Sequence, residues 1–478
     1  MYRFINTVFS TKLYILSFFC LIGVLVFVFS HANVLFWDNV LFGSRMGNQL
    51  YNNQLFNWYM PDSFDPGHPP VLGFLLAIAW KILGHKLWVS HLVMLPFSIG
   101  LLYQLQRFVG YYLTDKKLQF FAFLLLLVDP TLSAQLVLVN PEIISLFFFF
   151  LALNGMLYRD YYLKIIGLFF LSIVSFRSMM LASGIFLFDA LNLLWLEKKG
   201  LKALLKPKFL LAYIIGSIPG VLYVIWRLLT KGWLQTHPNS PWAELWKFAD
   251  LKMFVRNIIV LGHRYADFGR IFILLFLIFS LIKFRKKIFT KEVKQILLLA
   301  ITSVFVIAIT SLIATNTMGH RYFIVSFLAL GLLAFNIISK FYSKKKIIYS
   351  ILFFALITGN LWIYPRSIAQ GWDASLAHLP YHSLRTKALA YLDDNAIKID
   401  QTASFFPNAT VLDNVDFSGD YRVFERYNGN NDYIFYSNVY NLTDDEYDNL
   451  DSNYAIVKKF EKARIHIYIY KRNNYEVN

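Results

Sequence analysis

The chain has 478 residues, of which 57% are hydrophobic, 18% aromatic and only 16% charged, with a formal net charge of +17. Apolar runs near the ~20 residues that cross a bilayer recur throughout, which excludes a soluble globular protein and points to a polytopic α-helical membrane protein. No nucleic-acid motif accompanies the basic excess, which therefore serves topology, and the single cysteine, Cys20, excludes an internal disulfide and a thiolate metal cluster.

Residues 13–30 form the first apolar run. Arg3 and Lys12 precede it, and no small-residue cleavage site follows before Trp37, so it reads as a retained signal-anchor helix with a cytoplasmic N-terminus. The next segment begins Trp37-Asp38-Asn39 and closes Asp65-Pro66-Gly67-His68-Pro69-Pro70. It leaves a carboxylate within a few residues of the lipid boundary, an unusual place for a charge. Residues 71–84 are apolar but short for a ~30 Å hydrocarbon core at 1.5 Å rise per residue, so they are read as a helix lying on the membrane surface.

Further spans are expected near 87–108, 119–136, 141–158, 161–175, 178–196, 208–229, 270–284, 295–314, 322–339 and 346–363, about eleven in all with the first. Charge decides the surface-helix reading. With 71–84 left out of the count, the clusters Glu197-Lys198-Lys199 to Lys208, Lys283 to Lys287 and Lys344 to Lys346 all fall on the cytoplasmic side. Counting it as a span would put every one of them outside.

The outer face then carries 37–86, short turns at Asn140-Pro141-Glu142 and Phe176-Arg177-Ser178, the loop 231–269, residues 315–322 and everything beyond 364. This divides the chain into a transmembrane part, 1–363, and an extracytoplasmic domain, 364–478. The latter reads as a small α+β unit. Residues 383–395 have helical spacing, Tyr433-Ile434-Phe435-Tyr436 is strand-like, and Thr443 caps a helix opening Asp444-Asp445-Glu446. At 454–459 and 464–471 a hairpin is expected, with Ile465, Ile467 and Ile469 alternating with His466, Tyr468 and Tyr470.

Gly-rich phosphate loops, dinucleotide fingerprints, His-Glu-x-x-His and Gly-x-Ser-x-Gly are all missing. Asp38 is the leading candidate for chemistry, as a general base for an acceptor hydroxyl. Asp129-Pro130 and Glu142 place further acids near helix ends, although Asp129 also suits a simple helix stop before proline. Positive charge on the outer side runs against the topological bias. Arg177, His263-Arg264 and Gly319-His320-Arg321-Tyr322 supply it, and such groups could hold a lipid phosphate. Asp65 and His68 could ligate a divalent metal, but Asp-x-x-His spacing alone specifies no site, so no cofactor is assigned.

A first helix followed by an acid, a long outer loop ending His68-Pro69-Pro70 before an apolar helix, and a late Arg321-Tyr322 pair resemble the membrane-embedded GT-C glycosyltransferases. The protein mannosyltransferase and aminoarabinose transferase branch, glycosyltransferase family 39, is the most similar, over about residues 10–340. The resemblance implies catalytic roles for Asp38 and, in the second loop, Asp129, with Glu142 competing for that place. His68, Glu142, Arg177, His263, Arg264, His320, Arg321 and Tyr322 are the expected substrate-binding residues. Many members have two adjacent acids where this chain has Asp38-Asn39, which leaves one carboxylate for the base.

The expectation is an inverting glycosyltransferase using a polyprenyl-phosphate-linked sugar on the outer face of a bacterial inner membrane, with a glycan, lipid or protein as acceptor. The alternative is a transporter or flippase for a lipid-linked or anionic solute. That would call for ionisable groups at mid-membrane and repeated halves, whereas the polar residues here concentrate at helix ends and no repeat is evident.

Overall fold

The computed structural model describes residues 12–473 apart from 236, 241–242, 244–246 and 316–317. Arg3, used above to orient the first helix, lies outside the described residues. The first helix, α1 (Lys12–Ser30), is followed by a π-helical turn (Val40–Arg45) that continues as α2 (Met46–Asn52), then α3 (Val71–Leu83) and α4 (Leu87–Tyr112). Next come α5 (Lys116–Leu127), α6 (Pro130–Leu136), α7 (Pro141–Leu157), α8 (Tyr161–Val174), α9 (Phe176–Leu191) and α10 (Pro207–Lys231). The helical part closes with α11 (Leu251–Ala266), α12 (Arg270–Phe284), α13 (Lys291–Ile313), α14 (Ile324–Phe341) and α15 (Lys345–Gly359).

Six helices among the described residues are long and apolar enough to cross a bilayer, and two bent pairs bring the total to eight. The chain is a multi-pass membrane protein. Large apolar side chains stand exposed along these helices, as at Phe29 and Leu229, each 81% exposed. Expectation and structure differ at 119–136, which is not one straight span. Pro130 has no amide proton and disfavours helix at the residue before it, so α5 stops at Leu127. The Asp129 side chain then caps α6, which leaves at 76° to α5.

Residues 251–266, expected as outer loop, are helical, and α11 meets α12 at 92°. Gly269 makes that corner possible. Its φ of +82° lies in the left-handed region, and a Cβ there would stand 2.1 Å from the Ala355 carbonyl oxygen. Small residues also bring helices together within the bundle, where a Cβ on Gly167 of α8 would sit 2.4 Å from the Ala152 nitrogen of α7.

Beyond α15, α16 (Pro380–Asp394) and α17 (Asp444–Asn453) flank a five-stranded sheet. Its strands are β1 (Thr402–Ser404), β2 (Glu425–Arg426), β3 (Tyr433–Ser437), β4 (Tyr454–Lys462) and β5 (Ile465–Arg472), in the order β2-β1-β3-β5-β4. β1 is parallel to β2 and β3, while β5 is antiparallel to β3 and β4. Period-2 alternation sorts the two faces of β5: Ile465, Ile467 and Ile469 are fully buried, and Phe460, paired with Ile467, meets Tyr391 of α16. The expected cap is present as a capping box, in which the Thr443 amide donates to Glu446 Oε2 (2.7 Å) and the Glu446 amide to Thr443 Oγ1 (3.3 Å).

The sheet region sits on the segment after α1. Phe36 stacks on His378 with ring centroids 4.8 Å apart, the Leu35 amide donates to the Val415 carbonyl (2.9 Å), and Asn48 Nδ2 donates to Asn414 Oδ1 (2.8 Å). These contacts bring residues 364–415 over the mouth of the helical part.

Candidate active site

Five charged side chains from five chain segments converge beneath the sheet region. Asp38 follows Trp37, whose left-handed backbone (φ 52°) turns the chain sharply after α1. The Asp38 carbonyl then accepts from the Leu41 and Phe42 amides at 2.9 Å, starting the π-helical turn. Glu142 lies in the first turn of α7, behind the Asn140 cap and Pro141, where the helix dipole favours a carboxylate. Arg177 opens α9 behind the Ser175 cap, whose hydroxyl accepts from the Ser178 amide (3.1 Å). Arg321 sits in the 3-10 turn His320–Phe323 that leads into α14, and Asp373 in the 3-10 turn Trp372–Ala374.

Arg321 is the hub. It forms ion pairs with Asp38 and Asp373, and its Nε lies 3.0 Å from Glu142 Oε1. Arg177 Nη1 is 3.7 Å from the same Glu142 oxygen. The Arg177 guanidinium also donates to the Tyr322 hydroxyl and lies 3.4 Å from the centre of the Tyr322 ring. With three acids and two arginines the group carries one net negative charge when all are ionised. A fork-shaped guanidinium suits this many-partner role better than an ammonium would.

A cavity of about 410 Å³ opens onto the cluster, lined among others by Asp38, His68, Arg264, His320, Tyr322 and Asp373. A deeper recess of about 40 Å³ continues from it past His68, Arg177 and Arg321 to Glu142. His68 lies at the junction of the two. Its Nδ1 accepts from the Phe176 amide (3.3 Å), and burial, followed by the charges of Arg177, Arg227 and Arg321, holds its pKa well below the usual histidine range. It is therefore neutral at pH 7, with its other ring nitrogen carrying the proton.

The loop that delivers His68 is pinned from below. Asp65 is fully buried, accepts from the Gly67 amide (2.8 Å), and pairs with Arg227 (3.1 Å) and Lys231 (3.5 Å) at the end of α10. Asp65 and His68, the candidate metal pair, thus turn to different partners.

Of the remaining expected substrate residues, His320 and Arg264 line the cavity. His320 is buried and hydrogen-bonded through Nε2 to Asp267 (2.7 Å), which also accepts from the Tyr364 hydroxyl. Arg264 lines the cavity and donates from Nε to the Met318 carbonyl (2.9 Å). His263 stands outside the cavity lining, 3.8 Å from Asp267 and 42% exposed.

Asp129 is placed elsewhere. Both its oxygens are held by Arg270, at 2.8 and 2.7 Å, while Oδ1 also caps α6 by accepting from the Thr131 and Leu132 amides. The pair is buried, and Asp129 lines neither cavity, so the structure leaves its carboxylate no free face toward the cluster. The sequence reading missed Asp373, because everything after 364 was assigned to a separate domain. The available signal was an acid at Gly371-Trp372-Asp373, a few residues beyond the last apolar run.

No family model matches the chain, and no curated protein sequence is similar to it. Two solved structures are similar in fold. The crystal structure of ArnT from Cupriavidus metallidurans bound to undecaprenyl phosphate aligns over 96% of this chain and 98% of its own, with a TM-score of 0.51 and 12% identity. The apo state of the same protein aligns over 95% and 97%, with a TM-score of 0.52 and 11% identity. The likeness runs through both the helical part and the sheet region, and so the chain has a GT-C fold resembling that of ArnT.

Proposed function

We propose that the chain is an integral-membrane glycosyltransferase that moves a sugar from a polyprenyl-phosphate-linked donor to an acceptor hydroxyl on the outer face of the cell membrane. The observation that carries the reading is the cavity in which Asp38, Arg177, Arg321 and Tyr322 meet. A base and phosphate-binding groups share one opening there. The ArnT structure that shares the fold was solved with undecaprenyl phosphate, a lipid of the class that the proposed donor would release.

The chemistry follows from the leaving group. A polyprenyl phosphate departs with its charge already spread over acidic oxygens, so cationic stabilisation suffices and no general acid is needed, in contrast to glycoside hydrolysis. Arg177 is the cation with capacity to spare, since its only ion pair among the described residues is the 3.7 Å contact with Glu142. Arg321, shared by three carboxylates, holds Asp38 at the cavity. Asp38 takes the proton of the acceptor hydroxyl as its oxygen bonds the anomeric carbon, while the bond from that carbon to the phosphate oxygen breaks. Attack from the face opposite the phosphate inverts the configuration.

Purified protein in lipid nanodiscs, given a panel of polyprenyl-phosphate sugars, tests this. Release of free polyprenyl phosphate from at least one donor is expected. A protein that binds and cleaves none of them is not this kind of transferase.

A further inference from the structure

A second cavity, of about 360 Å³, opens in the sheet region. This lies within the ~300–1,000 Å³ range of small-molecule sites. It adjoins the catalytic cavity, and Gln370, Trp372 and Asn441 line both. Trp372 is the neighbour of Asp373, so the seam between the cavities is one residue from the charged cluster.

The walls come from the face of β5 that does not meet α16. Tyr436 of β3 pairs directly with Tyr468 of β5, which places Tyr436, His466, Tyr468 and Tyr470 on one face. His466 stacks on Tyr468 with centroids 4.2 Å apart, and Tyr447 of α17 meets Tyr436 edge-on at 6.2 Å. Of these rings Tyr436 and Tyr470 are buried in the wall, whereas His466 and Tyr468 are half-buried, so the stacked His466–Tyr468 pair is the part of the wall open to a ligand. Among the described residues the charged groups lining the cleft are Arg366 and Asp451, which pair with each other at 2.6 Å, so their charges cancel toward an ionic ligand. Polar groups are nonetheless present: Trp372 Nε1 is buried with no acceptor among the described residues, and Asn441 is exposed at the seam.

Flat ring faces interspersed with neutral hydrogen-bonding groups suit a ligand with apolar C–H faces and hydroxyl edges. We propose that this cleft is a saccharide subsite, which holds the sugar part of a glycan acceptor while its reacting hydroxyl enters the Asp38 cavity. The assignment of that sugar to the acceptor rests on the transferase reading; the binding of a saccharide can be measured without turnover.

The test uses full-length protein in nanodiscs and saturation-transfer NMR with maltotriose, cellotriose and N,N′,N″-triacetylchitotriose. Saturable binding of at least one of them is expected. Losing a stacking ring is worth roughly 1 kcal/mol, so Tyr468→Ala weakens binding about fivefold. Tyr468→Phe retains it, because the Tyr468 hydroxyl donates to Glu461 (2.6 Å) and the platform is the ring. His466→Ala, which removes the stacked neighbour, weakens binding as well. Should none of the three saccharides bind saturably, or should both Ala variants bind as the wild type does, the subsite is refuted. Donor cleavage by the wild type reports separately: binding without cleavage keeps the saccharide cleft and removes the transferase.

Discussion

Arg321 Nε stands 3.0 Å from a carboxylate oxygen of Glu142, tying the turn before α14 to the first turn of α7. The same guanidinium reaches Asp38 and Asp373, so segments 283 and 52 residues away are fixed by one side chain.

Removing that side chain leaves three acids facing one another. Uncompensated buried charge costs roughly 3–5 kcal/mol, so Arg321→Met should lower thermal stability sharply and abolish transfer. Adding Glu142→Gln to Arg321→Met should recover part of the stability and none of the activity. Thermal unfolding of the two single variants and the double variant measures the coupling, expected within ~0.5–3 kcal/mol.

Asp129 is held differently from Asp38, the proposed base. Its two oxygens belong to Arg270 and to the start of α6. Asp129→Asn should therefore destabilise the protein by roughly 3–5 kcal/mol. Turnover per folded molecule should change much less than for Asp38→Asn. A normal melting temperature with turnover lost would assign Asp129 to the chemistry after all.

Arg177 is expected to act on the donor. Arg177→Lys keeps the charge and loses both the fork and the stacking on Tyr322, so donor KM should rise about tenfold with acceptor KM little changed. Steady-state kinetics with each substrate varied in turn checks the split.

His68 gives stability a pH dependence of known sign. Its folded pKa lies well below that of a free histidine, ~6.5. Above pH ~6.5 both the folded and the unfolded chain leave it neutral and it contributes no slope. As pH falls through that value the unfolded chain takes up a proton that the folded one refuses, so stability drops, by at most ~1.4 kcal/mol per pH unit from this group, until the folded pKa is reached. Melting temperatures between pH 7.5 and 5 should show the fall, and His68→Gln should flatten it.

Much of this architecture can be read from local pattern. The Ile465-Ile467-Ile469 alternation, the Thr443 cap and the short run ending at Gly84 each yielded the element found in the structure, because each rests on chemistry within a few residues. The break at Asp129 was half legible. Proline announced the helix stop, but Arg270, which occupies the carboxylate, is 141 residues away. The site divides in the same way. Asp38, Glu142, Arg177 and Arg321 stand out as charges at the ends of apolar runs, whereas Asp373 and the Asp65–Arg227 pair depend on where the chain returns. No spacing in the sequence encodes that return.

Asp38 is proposed to take the proton from the acceptor. Single-turnover transfer from a preloaded polyprenyl-phosphate sugar, comparing wild type with Asp38→Asn at matched folding and donor occupancy, tests it directly. The variant is expected to lose at least ~10²-fold of transfer, the contribution of a positioned general base, with donor binding retained. Equal transfer rates would contradict it.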